Sequence, residues 1–131
     1  MNRVALLRPV LLADALFDTV FGLLLIIAPW HVPLDLFGLP VSEPEFYMQF
    51  TGGLLLACAY LLIQAASDFA LEAPIAKALA AVNFAGAIIT WSWLLFGDLD
   101  ISGRGEVTLA VASLILIFFA WVESVRFGQQ P

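Results

Sequence analysis

The apolar positions of this chain fall into four long blocks that are separated by short polar segments. The blocks cover residues 9–28, 46–66, 74–96 and 107–127. Each is about 20 residues long, the length that an α-helix needs to cross a bilayer core about 30 Å thick. Because the bilayer core offers no partner to free backbone groups, blocks of this kind form helices. The pattern predicts an all-α integral membrane four-helix bundle, with residues 1–131 in one domain.

Composition supports this prediction and excludes other classes. Hydrophobic residues make up 63% of the 131 residues, and the mean hydropathy is +1.01. Too few polar residues remain to cover a soluble globule, and the charged fraction of 12% is about half the soluble average. The net charge of −6 leaves no basic surface for nucleic acid. The expected surroundings are therefore the lipid bilayer and other membrane proteins.

Prolines and glycines mark the predicted helix ends. Pro9 and Pro74 each begin a block, where the missing proline N–H is not needed. Residues 67–73 are predicted to form a tight turn, and residues 97–106 a polar turn rich in glycine. The longest connection, residues 30–45, is too apolar for a solvated loop. We expect it to lie at the membrane surface.

The distribution of cations predicts the orientation. With both termini cytoplasmic, four of the five cations lie inside, and only Arg104 lies outside. This split follows the rule that cytoplasmic connections carry an excess of Lys and Arg. The sequence therefore predicts a multi-pass protein of the cell inner (plasma) membrane. The four cations inside are Arg3, Arg8, Lys77 and Arg126.

Each predicted span carries a polar stripe, and three acids lie within the spans. Asp14 and Asp18 are four residues apart and share one face of the first helix. Polar stripes in membrane helices usually face the bundle, so each is predicted to point inward. In the second span, adjacent glycines at 52 and 53 are predicted to let a neighbouring helix approach closely. The stripe of that span is Gln49, Gly53, Tyr60 and Gln64; that of the third is Asn83, Gly86 and Thr90.

Helix geometry places several of these residues at similar depth. At about 1.5 Å per residue, Asp14 lies about 8 Å and Asp18 about 14 Å into the first helix, and Asn83 lies about 14 Å into the third. The sequence thus predicts a ligand or proton site in the cytoplasmic half of the bundle, with three cations at its mouth. The site residues are Asp14, Asp18, Tyr60, Gln64, Asn83 and Glu123, and the cations are Arg8, Lys77 and Arg126.

Three interpretations of this cluster are open. In a structural one, Asp14 and Glu123 pair with Arg8 and Arg126, while Asp18 bonds a polar neighbour. In a functional one, the acids form a protonatable or ligand-binding pocket, as intramembrane acids often do. The third, a metal site of three carboxylates, gains no support from an intramembrane histidine, so no metal is predicted.

Asp18 carries the most specific prediction, because it is the deepest acid and has no cation at its depth. It is predicted to face the bundle interior, in its neutral form. It is also predicted to hydrogen-bond at least one of Asn83, Tyr60 or Thr90, because an unpaired carboxyl in hydrocarbon costs several kcal/mol.

Standard catalytic motifs are absent. The sequence holds no nucleophile elbow, P-loop, HExxH or CxxC motif, and its single cysteine, Cys58, falls within a span. The leading prediction is a small non-enzymatic accessory, scaffold or assembly subunit without a cofactor, which packs against larger membrane partners or forms a homo-oligomer. The alternative is a small proton-coupled transporter or lipophilic-ligand binder that uses the carboxylate cluster.

Two strings, LLADALFDTVFGLLLIIAPW in the first span and FYMQFTGGLLLACAYLL in the second, resemble the small bacterial DoxX-like four-helix membrane proteins. That family has an acidic or polar first span closed by proline and a glycine-rich second span. Some members are associated with quinone-linked respiratory enzymes, but the resemblance itself implies little chemistry. The small multidrug transporters share the size and an acid in the first helix, but here the acid is a pair, Asp14 and Asp18.

Overall fold

The computed structural model describes residues 7–28, 34–40 and 45–127. Within these ranges the chain is all helical. Four of its five helices are long and apolar enough to cross a membrane, which confirms the predicted all-α class and indicates a multi-pass membrane protein. The helices are α1 (Leu7–Ile27), α2 (Leu34–Phe37), α3 (Phe46–Ser67), α4 (Phe69–Phe96) and α5 (Gly103–Phe127).

The long helices form two pairs. α1 packs mainly along α3, and α4 packs mainly along α5. The two pairs meet where α3 contacts α4 and, over a narrower strip, where α1 contacts α5; we call this boundary the seam. The starts of α1 and α4 therefore lie at the same end of the bundle as the ends of α3 and α5.

Glycines fix the contact between α1 and α3. A Cβ on Gly52 would lie 2.5 Å from the carbonyl oxygen of Gly22, and a Cβ on Gly22 would lie 2.8 Å from the carbonyl oxygen of Gly52. The two backbones therefore touch at a point that only glycine permits. The predicted close approach is confirmed for Gly52. Gly53 faces away from the bundle, and a Cβ there would have no neighbour within 4 Å.

The connection between α3 and α4 is shorter than predicted. The expected turn at residues 67–73 is wrong, because α4 begins at Phe69 and contains Pro74. Asp68 caps the helix: its carboxylate accepts a hydrogen bond from the Ala70 N–H at 2.8 Å. An aspartate cap is a strong helix start, and it outweighs the proline that the sequence pattern predicts as the first residue.

The start of α5 is also earlier than predicted. The helix begins at Gly103, so the polar turn covers only residues 97–102. Ser102 accounts for the difference. Its hydroxyl accepts the Gly105 N–H at 3.3 Å, and its carbonyl accepts the Glu106 N–H at 3.1 Å. These bonds supply partners to amides that a helix start otherwise leaves free.

The short helix α2 docks against the start of α5. The Thr108 hydroxyl donates to the Phe37 carbonyl at 3.0 Å, and the Ser102 hydroxyl donates to the Gly38 carbonyl at 3.3 Å. Gly38 has a φ of 70°, a left-handed conformation that favours glycine. Part of the predicted surface connection, residues 34–40, is thus tied to α5, and residues 30–33 and 41–44 lie outside the described residues.

Candidate functional site, a buried acidic cluster

The three acids within the spans are buried in the bundle. Asp14 and Glu123 are 0% exposed and Asp18 is 3% exposed, and Asn83 is buried beside them. The structure thus brings together four of the six predicted site residues, which we call the acidic cluster. Asp14 and Asp18 lie one turn apart on α1, Asn83 lies on α4, and Glu123 lies on α5. The acidic cluster therefore spans the seam.

Two polar contacts cross the seam at the acidic cluster. Asn83 Nδ2 donates to Asp14 Oδ2 at 2.9 Å and joins α4 to α1. The carboxyl groups of Asp14 and Glu123 lie within hydrogen-bonding reach of each other and join α1 to α5. Asp18 is close enough to interact electrostatically with both acids. The cluster is one interacting unit.

Most of the carboxyl oxygens in the cluster have no donor. Asp14 Oδ1, Asp18 Oδ1 and both Glu123 oxygens are buried without a hydrogen-bond donor among the described residues. An ionised carboxylate only accepts, so the Asp14 and Glu123 carboxyls can bond each other only if one of them carries a proton. Three buried, uncompensated negative charges would be strongly destabilising. A proton on the Asp14 or the Glu123 carboxyl would supply the donor that the described side chains do not.

The hydrophobic core of the bundle has one thiol packed beside it. Apolar side chains of α1, α3 and α4 form the buried core, among them Leu11, Ala15, Ala59 and Leu62. Cys58 packs beside this core, near enough to interact electrostatically with Asp14 and Asp18. In the part of the chain that the structure describes, no three His, Cys, Asp or Glu side chains are arranged to hold a metal ion.

Tyr60 and Gln64 do not belong to the cluster, and their predicted inward position is wrong. Tyr60 is 60% exposed, and Gln64 Nε2 donates to Tyr60 Oη at 2.8 Å on the outside of the bundle. The inward face of α3 is instead set by small residues, Gly52 and Ala59, because these allow close packing. Tyr60 and Gln64 point outward and partly satisfy each other across one helical turn. Gln49 of the same predicted stripe instead donates to the Ile26 carbonyl of α1 at 3.4 Å.

The mouth cations do not neutralise the acids in the described part of the molecule. Arg8 and Lys77 are exposed at the end of the bundle where α1 and α4 begin, and the side chain of Arg126 lies outside the described residues. Asp14 meets Asn83 and Glu123, not the Arg8 expected in the structural interpretation. Closeness to the cations at the end of the bundle therefore does not determine which groups Asp14 contacts.

The prediction for Asp18 is half right. Its interior position is confirmed, but the expected hydrogen bond is wrong, since none of its three proposed partners bonds it within the described residues. Asn83 donates to Asp14, and the Thr90 hydroxyl donates to the Gly86 carbonyl of its own helix at 2.9 Å. Depth along the helices predicts which residues lie near one another, whereas the direction of each side chain decides which of them form hydrogen bonds.

Sequence reasoning missed Cys58 as a neighbour of the acids. The signal that could have placed it is the spacing of Gly52, Ala59 and Leu62, which marks the buried face of α3. Cys58 lies beside that face.

Comparison of the chain with protein-family models, with curated proteins and with solved structures finds no match.

Proposed function

We propose that this chain is a small proton-coupled membrane protein, a transporter or lipophilic-ligand binder, that works through the acidic cluster. One observation carries the proposal: three acids are buried at the seam, and four of their oxygens have no donor in the described structure. A bundle that needed only stability would be better served by apolar side chains at these positions. Intramembrane acids of this kind commonly mark proton or substrate routes.

The position of the cluster explains how protons would be coupled to movement. With protons present, Asp14 bonds Asn83 and Glu123 and holds the two helix pairs together. When the protons leave, like charges face each other across the seam. Two such charges about 4 Å apart repel by about 4 kcal/mol at an effective dielectric constant near 20. The contact between α1 and α5 is narrow, so proton loss favours opening there.

The titratable groups around the cluster come from three helices. Asp14 and Asp18 lie on α1, Cys58 on α3 and Glu123 on α5, whereas α4 contributes the neutral amide of Asn83. No described cation lies among them. Proton release therefore adds negative charge to the seam, and no described positive group offsets it.

In the proposed orientation both termini are cytoplasmic, in the inner (plasma) membrane. Arg8 and Lys77 lie at one end of the bundle, and Arg104 lies at the other, where α5 begins. An excess of cations on the cytoplasmic side supports this arrangement. The cluster then lies nearer the cytoplasmic surface, from which protons would enter.

Distances between spin labels across the seam test the proposal. In a Cys58→Ser background, labels at the exposed positions Leu12→Cys on α1 and Ser124→Cys on α5 report on the seam. We expect their separation in liposomes to increase as the pH rises and the cluster loses protons. Labels at Leu12→Cys and Ile63→Cys, within the α1–α3 pair, should keep a constant separation.

A neutral form of the cluster supplies the decisive control. Asp18→Asn with Glu123→Gln leaves nearly the same shapes but removes two of the acids, so the Leu12–Ser124 separation should stay short at every pH. A separation that changes with pH in this variant as it does in the original chain would disprove the role of the cluster. So would a constant separation in the original chain.

A second candidate function is the accessory subunit, and the outer surface favours it. Large apolar side chains are exposed on all four long helices, for example Leu16, Phe50, Ile89 and Trp121, so several faces are available to membrane partners. Purification in mild detergent followed by mass spectrometry tests this function. A stoichiometric larger partner supports it, and a pure preparation of this chain alone contradicts it.

A further inference from the structure

One outward face of α3 carries aromatic, small and polar side chains along its whole length. Its residues recur at alternating spacings of four and three, the heptad spacing of a helix that packs along a parallel neighbour. Six of the seven are exposed, and the seventh, Gln64, is half-buried. We call this face the α3 outer stripe; it consists of Phe46, Phe50, Gly53, Ala57, Tyr60, Gln64 and Ser67.

The middle of the α3 outer stripe is shaped for another helix. A Cβ on Gly53 would meet nothing within 4 Å, and Ala57 follows one turn later, so the backbone there is open to approach. Towards the start of α3, Phe46 and Phe50 stack with ring centroids 5.7 Å apart and border this opening. Paired small residues are the usual contact point between membrane helices.

The polar end of the stripe carries unused hydrogen-bonding groups. Gln64 Nε2 donates to Tyr60 Oη, which leaves the Tyr60 O–H free to donate and Gln64 Oε1 free to accept. Neither group has a hydrogen-bond partner among the described residues. Lipid chains offer none, so a polar pair on an outer helix face favours a protein partner.

We propose that the α3 outer stripe binds the α3 outer stripe of a second copy of this chain. Two copies with the same orientation in a membrane are related by a twofold axis along its normal, so α3 lies parallel to its counterpart and equal residues lie at equal depth. The free groups are then complementary. The Tyr60 O–H of each copy can donate to Gln64 Oε1 of the other, and the glycines meet where the backbones are bare.

Disulfide cross-linking in membranes tests this interface. In a Cys58→Ser background, Ala57→Cys lies in the middle of the stripe, whereas Ala85→Cys is an exposed position on α4 near the middle of its span. We expect oxidation to give a covalent dimer for Ala57→Cys and monomer for Ala85→Cys. Equal dimer at both positions, or none at position 57, would overturn the proposal.

Two further variants separate the interface from the fold. Gly53→Leu should abolish the dimer yet leave the monomer intact, because nothing in the bundle occupies the space beside Gly53. Tyr60→Phe with Gln64→Leu should weaken association about fivefold or more, the effect of losing interhelical hydrogen bonds. Photobleaching steps in dilute liposomes count the copies, and circular dichroism checks helix content. Unchanged dimerisation in both folded variants would refute the interface.

The proposed dimer and the proposed proton-coupled function depend on different residues, so an experiment can contradict one without contradicting the other. The α3 outer stripe shares no residue with the acidic cluster, so Asp18→Asn should leave the cross-link at Ala57→Cys unchanged. Loss of dimer in that variant would show that the interface depends on the cluster, contrary to the proposal.

Discussion

The buried carboxyl groups of this bundle differ in the hydrogen-bond donors and charged neighbours that surround them. Asp14 has an amide donor from α4 and a carboxyl neighbour from α5, whereas Asp18 has electrostatic neighbours and no donor to its Oδ1 in the described structure. We therefore expect these two acids, one turn apart on the same helix, to contribute oppositely to stability. Substituting each of the two acids in turn tests this difference.

Replacing Asp18 by leucine should stabilise the fold. The change removes a buried carboxyl with an unpaired oxygen and supplies an apolar side chain of larger volume, so the free energy of unfolding should rise by about 1–2 kcal/mol. Denaturation by SDS in mixed micelles measures it. Asp14→Leu is the matched control and should destabilise, because it removes the acceptor of the Asn83 amide and leaves Glu123 without its carboxyl neighbour. The same sign for both variants would contradict the difference between the two sites.

Replacing Asn83 by leucine should destabilise the bundle. Asp14 Oδ2 would lose its amide donor while staying buried, and a buried polar group without a partner costs about 1–3 kcal/mol. Thr90→Val on the same helix removes a bond to the helix's own backbone and should cost about 0.5 kcal/mol. The same unfolding measurement compares them. Equal losses would mean that the bond across the seam adds nothing.

Sequence could predict which acids are buried, because charge is costly in a span and only the bundle interior shelters it. It could not predict their partners. Depth along the helices pairs Asp18 with Asn83, yet Asn83 bonds Asp14, because a side chain's direction around the helix depends on packing. Tyr60 and Gln64 were placed inside for their polarity alone, whereas a mutual hydrogen bond lets them face outward.

Among the helices, the contact between α1 and α3 depends on one glycine of an adjacent pair. Gly52→Ala should destabilise by about 1–3 kcal/mol, since its methyl group would overlap the Gly22 backbone. Gly53→Ala has open space and gains helix propensity, so stability should be unchanged or slightly higher. Unfolding in micelles at a dilution that keeps the chain monomeric compares them. Equal effects would show that the helices do not touch there.

The sequence predicts the presence of the four long helices better than it predicts where they begin. Four apolar blocks of membrane length predict four long helices, because backbone groups in lipid have no alternative partner. Two helix starts were misplaced, since Asp68 and Ser102 cap helices earlier than the neighbouring proline and glycines suggested. Capping depends on single side chains and local backbone angles, which a hydropathy pattern does not contain.

For the whole molecule, the orientation is a prediction that labelling can check. In a Cys58→Ser background, Asp98→Cys and Ser67→Cys place exposed thiols at opposite ends of the bundle. With cytoplasmic termini, Asp98→Cys should react with a membrane-impermeant maleimide in intact cells, and Ser67→Cys should react only after permeabilisation. The reverse result would invert the orientation and place the cluster near the outer surface.

The pairing of helices could not be read from the sequence. In lipid every apolar face is equally acceptable, so hydropathy does not choose neighbours. The choice depends on where small residues permit contact, at Gly22 and Gly52, and on which polar groups bond, at Asp14 and Asn83. Both are properties of the packed bundle, and each involves residues that are far apart in the chain.

That separation along the chain has a consequence for biosynthesis. α1 is translated before the other three membrane-length helices and carries two acids. Each acid costs about 2.5–3.5 kcal/mol at the centre of an inserted helix. Asn83 and Glu123, which contact Asp14, are translated only with the third and fourth membrane-length helices. We therefore expect the insertion machinery to retain α1, or to admit it with its acids protonated, until the later helices arrive. Insertion of α1 would then depend on helices that are translated after it.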